Sequence, residues 1–193
     1  MTRKRVAILI SGRGSNMAAL IEAAKAPDYP AEIALVVSNV PDAAGLESAC
    51  AAGVPTAVLD HKPFGRDRGA FEAALQKILD EHRVEFICLA GFMRLFTAGF
   101  VERWVRRMLN IHPSLLPLFP GLDPHGQALR AGVKTSGATV HFVIPETDAG
   151  PIIAQESVPV LAGDTPESLA ARVLEAEHRI YPLARKRVAE GQA

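Results

Sequence analysis

VAILISGRGSN, residues 6–16, is the stretch on which the fold turns. Val6–Ser11 is a short, nearly continuous apolar run, the pattern of a strand covered on both faces. It ends in Ser11-Gly12-Arg13-Gly14-Ser15-Asn16. Met17, Leu20, Ile21 and Ala24 then recur at i, i+3, i+4 and i+7, the period of a helix with one buried face. Backbone N–H groups in such a loop, with the helix N-terminus behind them, make an anion site. The glycines let the backbone approach a phosphate, and Arg13 adds charge. An ordinary tight turn with Ser15 as N-cap fits the same residues. The loop matches neither G-x-G-x-x-G, since residue 17 is Met, nor the P-loop pattern, so a monophosphate suits it better than a dinucleotide.

The alternation continues through the first 90 residues. Ile33–Val37 is a second strand, followed by an Ala-rich helix to Ala52 that stops at Gly53. Thr56–Leu59 reads as a third strand. Phe71, Leu75, Ile78, Leu79 and His82 mark a longer amphipathic helix, and Phe86–Ala90 a fourth strand. Such alternation predicts an α/β, Rossmann-like, mainly parallel twisted sheet with helices on both faces. Arg107–His112 reads as a further strand ending at Pro113. Pro113, Pro117, Pro120 and Pro124 then predict a long irregular loop, because each Pro lacks a donor and fixes φ. Ala138–Ile144 and Ile152–Val160 form a predicted strand pair. A last helix, capped by Asp164 or Thr165, runs to about Arg187 with Pro182 late in it.

The 193 residues suit a single domain. Its N-terminal half, about 1–100, would bind phosphate, and its C-terminal half, about 101–193, would carry the remaining loops. Lys plus Arg equals Asp plus Glu at 21 each, which removes the electrostatic case for nucleic-acid or membrane-surface binding. The basic start Met1–Arg5 precedes an apolar run too short for a signal peptide, and no stretch approaches the ~18 apolar residues of a membrane helix. Cys50 and Cys88 make no disulfide framework or zinc site, which points to a reduced, cytoplasmic setting. No metal-ligand spacing occurs, so no metal is expected.

Asn110-Ile111-His112 carries the most chemical information. Residues two apart on a strand share a face, so Asn110 and His112 point together while Ile111 faces the core. They stand at the C-terminal end of a strand, where parallel α/β sheets bind ligands. An amide donor beside an imidazole suits the oxyanion of acyl transfer; a strand-end histidine satisfying a carbonyl is the bland alternative. Asp148 lies in Pro145–Gly150, by composition a surface turn. If that turn folds over the strand, Asp148 meets the His112 ring. Glu177 falls on the apolar stripe of the last helix, set by Ala170, Val173, Leu174 and Tyr181. It therefore has either a salt-bridge partner or a cleft to face. Arg68 opens a helix, where the helix dipole disfavours a cation; from the residues alone a solvated side chain is the readier reading. Phe92-Met93-Arg94-Leu95-Phe96 would line a flat pocket or pack in the core.

Taken together, ILISGRGSN (8–16), LAGFMRL (89–95), LNIHPSLLP (109–117), FPGLDPHGQAL (119–129), SGATVHFV (136–143) and TDAGPII (147–153) resemble the folate-dependent formyltransferases over nearly the whole chain. SGRGSN points to the branch acting on glycinamide ribonucleotide. The resemblance implies formyl transfer from 10-formyltetrahydrofolate to glycinamide ribonucleotide, in purine biosynthesis. It implies Asn110, His112 and Asp148 as the catalytic set. Gly12, Arg13, Gly14, Ser15 and Asn16 would hold the 5′-phosphate, and Glu177 the ribose hydroxyls. Arg68, Met93, Arg94, Leu95, Phe96 and His141 would bind folate, with 141–148 a mobile loop. A cis Leu116–Pro117 bond and a homodimer are implied as well. Leu118, Asp123 and Pro124 depart from the Lys, His and Thr of other members. A deformylase using the same three residues is the nearest rival; its members carry an N-terminal regulatory domain, whereas this sequence opens at its first predicted strand. A non-enzymatic nucleotide-binding module and a hydrolase built on Ser114 are more distant, the latter lacking a G-x-S-x-G elbow.

Overall fold

The computed structural model describes residues 3–193; Met1 and Thr2 of the basic start lie outside them. The first strand, β1 (Lys4–Ile10), leads into helix α1 (Ser15–Ala24), followed by β2 (Ala31–Ser38), α2 (Ala44–Ala51) and the short β3 (Thr56–Val58). A 3-10 turn at Lys62–Phe64 precedes α3 (Arg68–Glu81) and β4 (Phe86–Leu89). Then come α4 (Ala98–Arg103), β5 (Met108–His112), α5 (Pro124–Arg130), β6 (Thr135–Phe142), β7 (Ile152–Pro159) and the 24-residue α6 (Pro166–Ala189).

All seven strands form one sheet in the order β3-β2-β1-β4-β5-β6-β7. Strands β1 to β5 pair in parallel, whereas β5–β6 and β6–β7 are antiparallel. Strand β1 is apolar throughout because both its faces are covered. Val6, Ile8 and Ile10 pack with α1 and α6, while Ala7 and Leu9 pack with Phe71, Leu75 and Leu79 of α3. The chain leaves β1 toward β2 and β3, then returns to β4 on the other side of β1. That reversal opens a crevice beyond the C-terminal ends of β1 and β4, where ligands bind in open α/β sheets.

The α1 stripe is buried as its period predicts, at Met17, Leu20, Ile21 and Ala24. Helix α6 packs beside α1 on the same face of the sheet, touching α1, α5, β5, β6 and β7. Its Tyr181 hydroxyl donates to the carbonyls of Leu89 (2.9 Å) and Leu109 (3.2 Å), tying the helix to β4 and β5. The fully buried Arg185 lays its guanidinium 4.6 Å from the centre of the Phe86 ring.

Several expectations are corrected. The proline-rich stretch is not irregular to its end, since Pro124 opens α5. Proline at a first helical turn forfeits only an N–H that has no partner there, and Asp123 accepts from Gly126 N at 3.1 Å as the cap. Helix α4 is an element the sequence reading lacks. Gly14, not Ser15, is the N-cap of α1, and it makes no side-chain cap bond. The buried stripe of α6 runs through Leu169, Val173, Ala176, Glu177, Ile180 and Tyr181; Ala170 and Leu174 sit at its half-buried margin. Thr165, rather than Asp164, caps that helix, in a capping box with Ser168. The Leu116–Pro117 bond is cis. No helix among the described residues is long and apolar enough to cross a membrane.

Candidate active site

Two cavities open along the crevice. The smaller, about 290 Å³, is walled by the loop Ser11–Asn16 with Ala90, Gly91 and Met93. The loop lies against α2, whose Gly45 N–H donates to the Gly12 carbonyl at 3.0 Å. A Cβ on Gly45 would stand 2.6 Å from Ile10 Cδ1, so only glycine lets the helix pack this close. With no side chain capping α1, its first-turn N–H groups remain free for an anion.

The larger cleft, about 540 Å³, shares Asn16, Gly91 and Met93 with the smaller. Asn110, His112, His141 and Asp148 meet in it, with Glu177 on its wall. Arg68 and the 93–96 segment also border it. The cleft thus brings together residues from both halves of the chain.

His112, at the end of β5, is buried. Its Nε2 lies 2.9 Å from the Phe119 carbonyl, and its Nδ1 lies 3.5 Å from Asp148 Oδ2. Both ring nitrogens therefore face oxygen atoms, the Phe119 carbonyl within hydrogen-bond reach and the Asp148 carboxylate more loosely. Asp148 Oδ2 also accepts from Gly121 N at 2.9 Å, so one carboxylate joins the 145–150 turn to the 113–123 loop. Asp148 adopts φ 55°, a left-handed conformation that Asp tolerates better than most residues.

Asn110 and His141 are direct partners across the β5–β6 ladder. The Asn110 amide nitrogen lies 3.3 Å from His141 Nε2, and His141 Nδ1 lies 2.9 Å from the Phe142 carbonyl. These partners assign the His141 proton to Nδ1, which donates to Phe142, and leave Nε2 to accept from Asn110. Burial is the largest influence on His141 and lowers its pKa; the Phe142 carbonyl and Asp148 oppose it, and His112 adds to it. A neutral ring does not ion-pair with Asp148 Oδ1, although that oxygen stands 3.8 Å away. His141 thus orients the Asn110 amide, a role the sequence reading did not assign. Cross-strand register would have been the signal, and it is not legible from one sequence. His141 and Phe142 also belong to β6, so the segment expected as a loop from 141 begins two residues later.

Glu177 reaches the cleft from α6 with only 7 % of its surface exposed. Burial pushes its carboxyl up from 4.5 to about 7, with the neighbouring Asn16 side chain opposing. The folded chain holds the Glu177 proton more tightly than the unfolded chain does. Folding stability therefore falls as pH rises from about 4.5 through about 7. Glu177→Gln removes that slope. Unfolding by urea at pH 5 and pH 8 is expected to show wild type losing about 2–3 kcal/mol more than the variant between the two. Equal losses would place the carboxyl in water.

The 92–96 run divides by side. Phe92 and Phe96 stack at 5.4 Å between ring centres and pack inward, as the core reading expects. Met93 and Leu95 point outward, 74 % and 65 % exposed. Arg94 lies over the Phe71 ring at 4.7 Å, and Arg68 sits one turn earlier on α3, exposed rather than paired within the helix.

The sheet thus holds the Asn110 amide and the His112 imidazole at the end of β5, with the Asp148 carboxylate folded over them and the Ser11–Asn16 cavity alongside. The sequence matches the formyl transferase family over residues 4–184, and the chain belongs to that family. The phosphoribosylglycinamide formyltransferase of Escherichia coli (strain K12) is 44% identical over 97% of this chain and 88% of its own length. The trifunctional purine biosynthetic protein adenosine-3 of Gallus gallus is 54% identical over 97% of this chain, which spans 18% of that protein. The crystal structure of phosphoribosylglycinamide formyltransferase from Brucella melitensis superposes with a TM-score of 0.93 at 55% identity, covering 100% of this chain and 98% of that one.

Proposed function

We propose that the chain transfers the formyl group of 10-formyltetrahydrofolate to the amine of glycinamide ribonucleotide, a step of de novo purine biosynthesis. The observation that carries the proposal is that the cavity at the Ser11–Asn16 loop shares Asn16, Gly91 and Met93 with the cleft holding Asn110, His112 and Asp148. In this reading Gly12–Asn16 holds the 5′-phosphate and Glu177 the ribose. Arg68, the 93–96 segment and His141 border the folate. One domain over residues 1–193 carries the whole site. The chemistry needs no metal, and the free thiols Cys50 and Cys88 fit a cytoplasmic setting.

The amine nitrogen attacks the formyl carbon, and negative charge develops on the formyl oxygen. Asn110 Nδ2–H and His112 Nε2–H donate to that oxygen. His112 Nε2 lies 2.9 Å from the Phe119 carbonyl, and the formyl oxygen takes that acceptor's place. Asp148 faces the other ring nitrogen and holds the charge and orientation of the imidazolium. Collapse of the intermediate breaks the bond from the formyl carbon to folate N10. The proton lost by the attacking amine reaches N10 through water.

Tetrahydrofolate release from 10-formyltetrahydrofolate, followed with and without glycinamide ribonucleotide, tests this. Release is expected only with the ribonucleotide present. Release without any amine would make the chain a deformylase, and no release in either case would leave a binding module.

A further inference from the structure

Residues 92–97 belong to no helix or strand, and 92–96 of them line the cleft. An extended strip with no ladder needs other partners for its backbone, and it finds them at both ends. At the first end, the Met93 amide donates to Ser11 Oγ at 2.8 Å, and the Ser11 hydroxyl donates to Asn39 Oδ1 at 2.5 Å. Asn39 is itself buried. At the other end, the Thr97 amide donates to Glu72 Oε1 at 2.6 Å and the Thr97 hydroxyl to Glu72 Oε2 at 2.5 Å. Glu72 is 6 % exposed, and a carboxylate that deep persists only when its oxygens are satisfied. Glu72 also lies four residues after Arg68 on α3, so one helical face carries both the anchor and a cation of the cleft.

We propose that Ser11 and Glu72 are positioning residues for the folate co-substrate, fixing the two ends of the 92–97 strip and so setting the width of the cleft it borders. This rests on the proposed formyl transfer. Neither residue is placed at the reacting atoms, so their effect falls on folate affinity before the chemical step. Ser11 opens the phosphate loop as well, so it holds the two cavities in register, whereas Glu72 acts on the folate side alone.

The test is steady-state kinetics of Glu72→Gln, Ser11→Ala, Thr97→Val and Thr97→Ser, with calorimetric titration of tetrahydrofolate and thermal melting of each. Glu72→Gln and Thr97→Val are expected to raise KM for 10-formyltetrahydrofolate about tenfold and to weaken tetrahydrofolate binding in parallel. For both, kcat stays within about twofold and KM for the ribonucleotide is unchanged. Ser11→Ala is expected to raise both KM values. Thr97→Ser, which keeps the hydroxyl, restores wild-type values. Unchanged folate KM and tetrahydrofolate affinity in Glu72→Gln would overturn the inference. So would kcat and both KM values worsening together with a lowered melting point. Wild-type chain that binds tetrahydrofolate but transfers no formyl group would instead sink the proposed reaction, and the titrations would still judge the strip.

Discussion

His112→Ala is expected to lower kcat/KM by at least about 10²–10³, the usual effect of removing one donor to a developing oxyanion, about 2.7–4 kcal/mol. Asn110→Ala is expected to lose a similar factor, since the two side chains share the C-terminal end of β5 and one cleft. The effect belongs to the transition state, so kcat falls with kcat/KM. Little of it should appear in folding stability. The ring's contacts are to Phe119 and Asp148 in loops, and the core beneath β5 is built from Leu109 and Ile111 on the other face. Single-turnover formyl transfer under saturating substrates, together with thermal melting, separates the two quantities. Near-full turnover in His112→Ala would overturn its assignment.

Gly150→Ala is expected to damage both activity and stability. A Cβ at this position would lie 1.7 Å from the Phe142 carbonyl oxygen and 3.4 Å from His141 Nδ1. Here the chain turns back onto β6, with the Phe142 amide donating to the Pro151 carbonyl at 2.9 Å. The added methyl must push the turn away from the strand, an overpacking cost of about 1–3 kcal/mol. Asp148 lies two residues upstream and moves with it, away from His112. A displacement of about 1 Å among reacting groups can cost about 10²-fold in rate. Urea unfolding and kcat measured on the same preparation check this. Wild-type turnover in a destabilised variant would mean that Asp148 is held from the Gly121 side alone.

Where periodicity was long and clean, the chain could be read directly. Met17, Leu20, Ile21 and Ala24 of α1 are buried as their spacing predicts, and Asn110 and His112 share a face because strands alternate. Short elements and special caps were not legible. Helix α4 has six residues and buries only Phe100 and Val101, too few to establish a period. Helix α5 was hidden because Pro124 reads as a breaker unless its first-turn position is known, and Asp123 caps it from a left-handed conformation. Glu177 was legible as a carboxylate on an apolar stripe. The approach of Asp148 to His112 was not, because 36 residues and a change of strand direction separate them; the family resemblance supplied it. Ser11 and Glu72 escaped notice because each is an ordinary polar residue until the 92–97 strip is laid between them.

Helix α6 has a consequence for synthesis. By the time Asp148 has left the ribosome, every group proposed to touch the formyl oxygen exists. The face of β1 carrying Val6, Ile8 and Ile10 nonetheless still lacks its α6 cover, and the cleft still lacks Glu177. The last helix completes the core and the substrate wall together. A nascent chain therefore covers this apolar face and gains the Glu177 wall of its cleft in the same step.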